Sequence, residues 1–574
     1  MIIQKNILSK FRNCVNVRNL SIFSFNLNSF CIVLGIIYLI IPTYTHLWDI
    51  FGILLSITLF ENLFLAYLTS VRVNKSTKLG NRINFICYIN MLFTIMAYLC
   101  MIIGNLLLSS SFSYRLIDNL GAFTIINFCF FGILVFALSI SVINIKNIKN
   151  KTLWSLSKKV KSIQNLRTFR IKKSLRRILT ILTRFTFIIG ILFGIVIVFG
   201  SFEILTTFIA IISAQFGIFF SLIFFANTLL FLKLKGSKLN RKKFVRNAIT
   251  GTLVSFLLVM PLALTNITIY NAEKNFTATF GEGWKTNIPT EVEQYFLKTP
   301  FTTPSYFLGI QTKECLIERN ILFYSGEGIN LYFDAYMPLG GGESLPGQNT
   351  VIIRIHGGSW IMGDKGTFNM LEMNKYFAAQ GYVVFDIQYG LRDSIITPKY
   401  KAGDFNVDDM VRHIGIFTKY LSNHSVEYGA NLDSVFFSGG SAGGHLTCAV
   451  SLAATCGTYP DLFSPDLNIR GYIPFYPANG LLNFFGISGK EEFLNPEMMI
   501  ESNSPPCLIF QGTHDIINYF GIVNTIKNTY LAQGNRECSI IWMLLGGHAC
   551  DFYFSGYYNQ IFLYYMERFL YLYH

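Results

Sequence analysis

Three short stretches in the C-terminal half of the chain carry residue types able to work together. Gly439-Gly440-Ser441-Ala442-Gly443 follows the β-rich run Ser434-Val435-Phe436-Phe437-Ser438 and precedes a helical run from Gly444. G-x-S-x-G on a strand-to-helix turn builds a nucleophile elbow, because its glycines (here Gly439 and Gly443) permit the cramped backbone that projects a serine hydroxyl. A seryl oxygen is a poor nucleophile until an imidazole takes its proton, and that imidazole needs a carboxylate to hold its tautomer and stabilise its charged form. Asp515 ends the run Leu508-Ile509-Phe510-Gln511-Gly512-Thr513-His514, a strand leading into a loop, and His548 closes Gly546-Gly547-His548 after the next strand. Ser441, Asp515 and His548 are thus the expected nucleophile, orienting acid and base. His356-Gly357-Gly358-Ser359-Trp360 directly follows the apolar strand Val351-Ile352-Ile353-Arg354-Ile355. Acyl transfer needs backbone N–H donors where negative charge develops on the carbonyl oxygen, and consecutive glycines let the main chain come that close. Gly357, Gly358 and Ser359 are the expected donors on this loop, joined by the N–H of Ala442 at the start of the helix after the serine.

Other titratable residues compete less well. His514 adjoins Asp515 and cannot easily also be its hydrogen-bonded base. His445 lies four residues past the serine, on one helix with it, where packing is its expected role; His413 and His424 read as helix-surface residues. Asp461, Glu492 and Glu497 are the rival acids. The sequence has no H-E-x-x-H, paired C-x-x-C or EF-hand pattern, so no metal is expected. The acyl-transfer chemistry needs no cofactor.

HGGSW, GGSAGGHL, PPCLIFQGTHD and GGH, as they stand here, resemble the α/β-hydrolase superfamily. The likeness is to its H-G-G esterases, the hormone-sensitive-lipase-like and kynurenine-formamidase-like groups, and covers about 319–574. It implies the same roles for Ser441, His548 and Asp515, and an oxyanion hole from Gly357, Gly358 and Ala442. Ser359 stands where lipase-like members usually carry a third glycine, which leaves open which two N–H groups of 357–359 donate.

The elements positioning these residues alternate. Strands are expected at 319–324, 329–336, 350–355, 382–387, 434–438, 470–475, 506–511 and 538–544. Helices are expected near 368–379, 404–422, 443–455, 517–533 and 556–571, giving a mostly parallel sheet with helices on both faces. Each candidate residue then lies just past the C-terminal end of a strand. The segment 476–505, with Leu481, Leu482, Phe484, Phe485 and Ile487, is expected to form an apolar wall or lid over the site.

The rest of the chain is of another kind. The 574 residues are 52% hydrophobic and 14% charged, with mean hydropathy +0.43, too apolar for one soluble domain. The net charge of +15 divides into +25 over residues 1–270, where 29 Lys and Arg face only Asp49, Glu61, Asp118 and Glu203, and −10 over 271–574. Seven apolar runs, at about 27–47, 50–70, 83–108, 119–145, 185–202, 204–232 and 247–268, are each long enough to cross a bilayer core of ~30 Å. The fold class expected is therefore a multi-pass helical membrane domain over 1–270, a connector over 271–318 and an α/β-hydrolase domain over 319–574.

Basic residues alternate between the loops: four, none, four, one, thirteen, none and seven in chain order. This is the positive-inside pattern. The N-terminus is expected in the cytoplasm, the first run uncleaved, and the C-terminal domain outside the cytoplasm or in a lumen. The loop 146–184 is expected to lie on the anionic inner leaflet, and no nucleic-acid partner is expected. A small-molecule or lipid ester is the expected substrate.

Overall fold

A computed structural model describes residues 16–41, 45–108, 119–154, 173–235, 240–310, 314–366 and 371–574. Nine helices of the N-terminal region carry the argument. They are α1 (Val17–Ile40), α2 (His46–Arg72), α3 (Lys78–Leu108), α4 (Asn119–Lys146), α5 (Lys173–Phe199), α6 (Ile204–Ser213), α7 (Gly217–Lys235), α8 (Arg241–Ala263) and α9 (Thr265–Phe280). Among the described residues, seven helical stretches are long and apolar enough to cross a membrane, α8 and α9 together forming one of 40 residues.

Three of these depart from the sequence reading. The first helix begins at Val17 and not near residue 27, because Ser21, Ser24 and Asn28, which lower its apparent hydropathy, are turned inward. Asn28 and Asn62 exchange amide hydrogen bonds of 2.7 and 2.8 Å, and Asn144 donates to Ser21 (3.1 Å) and Thr69 (2.8 Å). The sixth run is two helices, since the chain breaks between Ser213 and Gly217. The last run does not stop at 268; α9 carries on through residue 270, where the charge changes sign, to Gly281, whose φ of 85° ends it. Residues 155–172, the centre of the expected inner-leaflet loop, lie outside the described residues.

The C-terminal region is one eight-stranded sheet flanked by helices. Its strands are β1 (Leu316–Gly326), β2 (Ile329–Met337), β3 (Thr350–Ile355), β4 (Val383–Ile387), β5 (Asn431–Gly440), β6 (Ile469–Phe475), β7 (Cys507–Gly512) and β8 (Cys538–Met543). Their spatial order is β1-β2-β4-β3-β5-β6-β7-β8. β1 and β2 are antiparallel, β2 meets β4 antiparallel, and β4 onward is parallel. β3 and β4 are buried on both faces, which is why they read as Val/Ile/Phe-rich runs without alternation, broken only by Thr350, Arg354 and Asp386. Helices α10 (Leu371–Ala378), α11 (Val407–Tyr428), α12 (Ala442–Thr455), α13 (Phe520–Ala532) and α14 (Tyr557–Tyr573) cover the sheet.

The α/β domain sits on one end of the bundle. Tyr38 at the end of α1 shares a hydrogen bond with Ser305 (2.8 Å), and Gly52 near the start of α2 lies against Thr303. Gln215, in the break before α7, accepts from the Tyr553 N–H (2.7 Å) through its side chain and from the Tyr306 hydroxyl (2.9 Å) through its carbonyl. Aromatic rings close the seam: Phe216 stacks on Tyr553 at 4.7 Å, Phe219 meets Tyr306 and Phe307 at 5.2 and 5.3 Å, and Tyr306 stacks on Tyr557 at 5.6 Å. At the opposite end of the bundle gather Arg72, Lys146, Lys233 and Lys235. There Lys233 donates to the Ser70 carbonyl, and the Asn74 N–H donates to the Leu153 carbonyl at 2.8 Å.

Candidate active site

The glycines around Ser441 are required by close backbone packing. A Cβ on Gly439 would stand 2.4 Å from the Ile355 carbonyl oxygen, and one on Gly443 would stand 2.1 Å from that same atom. The turn from β5 into α12 can therefore be tight only with glycine at both places. Ser441 itself sits at φ 57°, ψ −118°, a strained conformation for a non-glycine residue, and its N–H is held by the Phe475 carbonyl at 3.0 Å. The serine is half-buried, between the ends of β5 and β6.

His548 Nε2 lies 3.1 Å from Ser441 Oγ, and His548 Nδ1 lies 2.9 Å from Asp515 Oδ2. With Nδ1–H donating to the carboxylate, Nε2 is left to accept the serine hydroxyl proton. The other carboxylate oxygen of Asp515 accepts from the N–H groups of Ile517 (3.0 Å) and Asn518 (2.9 Å), so the acid is oriented from both sides. Two loops supply the acid and the base, and they are tied together. The His514 N–H donates to the Gly546 carbonyl (2.8 Å), and the Leu545 N–H donates to Thr513 Oγ1 (2.9 Å).

The 356–360 loop lies over the elbow. A Cβ on Gly357 would be 2.7 Å from the Gly440 carbonyl oxygen and 3.5 Å from Ser441 Cβ, so the main chain of this loop passes beside the nucleophile. Gly358, Ser359 and Trp360 all have positive φ (118°, 53° and 59°), a run of left-handed geometry that turns the loop sharply. Ala442 is the first residue of α12, so its N–H has no partner within the helix. Trp360 packs edge-on against His445 (5.4 Å between centroids) and Phe485 (5.7 Å). Of the expected apolar wall, Leu482 and Ile487 are buried, Phe485 meets Trp360, and Phe484 is exposed.

His356 belongs to the HGGSW stretch, but the groups around it and behind His548 carried no local sequence signal. His356 is buried beneath the loop, stacked on Tyr389 at 4.5 Å, with Nδ1 2.8 Å from the Gly357 carbonyl. Burial, with Lys401 Nζ 3.5 Å from Nε2, pushes its pKa down to about 3, so the ring is neutral. Lys401, itself pushed down to about 8 by burial, is paired with Asp364 at 3.2 Å. Behind the base, the Tyr476 ring meets His548 edge-on at 4.9 Å, and its hydroxyl donates to Asp551 (2.7 Å), a buried carboxyl whose pKa burial raises. These groups come from the segments after β3, β4 and β6 and from the His548 loop, and only the folded sheet brings them together.

The remaining candidates lie elsewhere. His445 is buried, its Nε2 2.7 Å from the Phe493 carbonyl. His413 is not a surface residue: it is fully buried on the face of α11 that carries Met410, Ile414 and Phe417, with Nε2 3.0 Å from Glu327. His424 stacks on Tyr420 at 4.0 Å. Glu492 accepts from the Tyr459 hydroxyl, and Glu497 from Asn479 (2.9 Å). His514 lies against Gly200 of the helical region.

Residues 333–488 match the family described as BD-FAE. Over 227 residues the chain is 23% identical to a probable isoprenylcysteine alpha-carbonyl methylesterase of Arabidopsis thaliana, covering 35% of this chain and 44% of that protein. Over 134 residues it is 30% identical to a probable carboxylic ester hydrolase of Mycobacterium tuberculosis, covering 23% of this chain and 28% of that one. The chain thus spans less than half the length of either relative. Apo esterase 2 of Thermogutta terrifontis is a similar solved structure, 20% identical over 45% of this chain and 92% of that one, with a TM-score of 0.34. The resemblance of the C-terminal region to α/β-hydrolase esterases holds, as its curated relatives are themselves carboxylic ester hydrolases.

Proposed function

We propose that the chain is a membrane-anchored serine hydrolase that cleaves carboxylic esters through an acyl-enzyme. The observation that carries this reading is the line Ser441 Oγ, His548 and Asp515, at 3.1 and 2.9 Å, set at the C-terminal ends of β5, β7 and β8. Ser441 Oγ attacks the ester carbonyl while His548 takes its proton, and Asp515 stabilises the imidazolium. The tetrahedral oxyanion is held by the N–H of Ala442 and by N–H groups of the 357–359 loop. Its collapse expels the alcohol, which leaves with the proton from His548. Water, deprotonated by the same imidazole, then attacks the acyl-enzyme, releasing the carboxylic acid and restoring Ser441. The relatives' ester substrates support the ester assignment.

The seven apolar stretches are the anchor, and the hydrolase region lies on the face of the membrane away from the cytoplasm. Two features support this sidedness: the alternation of basic loops, and the docking of the α/β domain on the bundle ends opposite Arg72, Lys146 and Lys233. A fluorophosphonate probe tests both parts on the full chain in sealed vesicles of known orientation. The probe is expected to label the wild type and not Ser441→Ala, and a membrane-impermeant form is expected to label only from the face opposite the basic loops. Equal labelling of wild type and Ser441→Ala overturns the mechanism; labelling from the basic face overturns the sidedness.

A further inference from the structure

The hairpin between α5 and α7 meets both catalytic loops. A Cβ on Gly200 would stand 3.5 Å from His514 Cβ, one residue before Asp515, and a Cβ on Gly547 would stand 3.1 Å from Ala210 Cβ, one residue before His548. The hairpin, from Phe199 to Ser213, has Glu203 as its single charge, and the Glu203 side chain caps α6 in a reciprocal pair with Thr206. Its apolar side chains are nonetheless uncovered: Phe202 is 64% exposed, Leu205 65% and Phe208 63%. Apolar side chains are likewise uncovered in the segment after Asp515 and beside Phe485, with Ile516 44%, Phe520 62% and Phe484 84% exposed. An apolar border of this extent facing water is costly unless lipid covers it.

Helix lengths set the depth of the hairpin. α7 has 19 residues between Gly217 and Lys235, which at about 1.5 Å each gives roughly the thickness of a hydrocarbon core. The whole of α7 is needed for the crossing, so α6, which precedes it, lies at the leaflet boundary farther from the basic ends. A short, uncharged helix with Leu205 and Phe208 outward belongs in the apolar part of that boundary.

We infer that the site takes its substrate sideways from this leaflet, past the α6 hairpin, and that the substrate is an ester borne by a membrane-resident amphiphile whose carbonyl lies at the boundary between headgroups and acyl chains. This rests on the ester-hydrolase reading and names the substrate class within it. The rim residues Leu205 and Phe208 contact lipid beside the site and do not touch the reacting atoms.

The test uses the full chain reconstituted in phosphatidylcholine vesicles, with two probes: a long-chain fluorogenic ester dissolved in the bilayer, and p-nitrophenyl acetate in the aqueous phase. At constant bulk concentration, hydrolysis of the bilayer ester is expected to fall in proportion as added phosphatidylcholine dilutes it in the surface. A rate that follows bulk concentration alone overturns the inference. Leu205→Asp with Phe208→Asp is expected to lower kcat/KM on the bilayer ester about tenfold and to change the aqueous ester less than about twofold. No loss on the bilayer ester overturns the inference, while equal loss on both probes marks a folding defect and leaves surface dilution to decide. The two readings fail separately: aqueous-ester hydrolysis undiminished in Ser441→Ala defeats the esterase itself, whereas hydrolysis abolished there but insensitive to surface dilution defeats only the membrane route.

Discussion

In the helical bundle Asn28, Asn62, Asn144, Ser21, Ser24 and Thr69 face one another, while Ile53, Phe128, Ile188 and Phe256 point outward. In the α/β domain the arrangement is reversed: Val351, Ile353, Phe385, Phe437 and Ile509 are fully buried, and pairs such as Lys399–Asp393 and Arg412–Glu327 lie at the surface. On the proposed membrane reading, one chain follows two solvent rules. Where the surroundings are apolar, side-chain hydrogen bonds give helices a reason to choose particular neighbours; where they are water, burial of apolar area does so. The polar groups buried inside the α/β domain include charged side chains and imidazoles such as Arg354, Asp386, Lys401 and His356, and several of them stand near Ser441, where exact orientation matters more than adhesion.

Three tests sharpen this contrast. The largest effect is expected at Gly357→Ala, because the new Cβ would lie 2.7 Å from the Gly440 carbonyl and push the loop off the elbow. Turnover of an aqueous ester, normalised to fluorophosphonate-reactive sites, should drop ~10²-fold, the usual cost of a lost oxyanion donor; undiminished turnover would remove this loop from the mechanism.

His445→Gln tests a buried neutral ring in the water-rule region. Burial pushes the His445 pKa down to about 4. Between that value and about 6.5 the unfolded chain binds a proton that the folded chain does not, so this residue's contribution to stability rises with pH across the window and is lost on acidification. Denaturation midpoints of the full chain at pH 6.5, 5.5 and 4.5 should fall less steeply in the variant, by an amount approaching ~1 kcal/mol per pH unit. Parallel slopes would mean that His445 is protonated when folded.

The smallest effect belongs to the bundle. Asn62→Leu leaves Asn28 Oδ1 without its donor, while Asn28 Nδ2 keeps Ser24, and should cost ~1 kcal/mol in detergent unfolding, and adding Asn28→Leu should return part of it. Strictly additive losses would show that the pair does not bind α1 to α2.

The sequence held the α/β core in readable form. β3 and β4 are Val/Ile/Phe-rich runs broken only by Thr350, Arg354 and Asp386 and bounded by glycine or turn residues, and the chemistry-bearing residues follow strands, so local pattern was enough to single out Ser441, Asp515 and His548 as the candidates. The start of α1 was hidden because hydropathy penalises Ser21, Ser24 and Asn28 without registering that they face Asn62 and Asn144. His413 was misjudged for a related reason: its place on the apolar face of α11 follows from periodicity, but its partner Glu327 lies far back in the chain. The contacts of Gly200 with His514 and of Ala210 with Gly547 had no local trace, since a glycine or alanine in each pair says nothing in sequence about which distant segment comes near it.

The aromatic seam bears on how the protein is made. Phe216 leaves the ribosome long before Tyr553, so the part of the docking face that Tyr306 and Phe307 do not cover stays bare until Tyr553 arrives. The same geometry makes a fragment cut where the charge changes sign a poor substitute for the whole. It would offer Tyr306, Phe307, Tyr553 and Tyr557 to water and, without Gln215, leave the Tyr553 N–H and the Tyr306 hydroxyl without their partner. The first half of the chain is in this sense the scaffold on which the second half finishes folding.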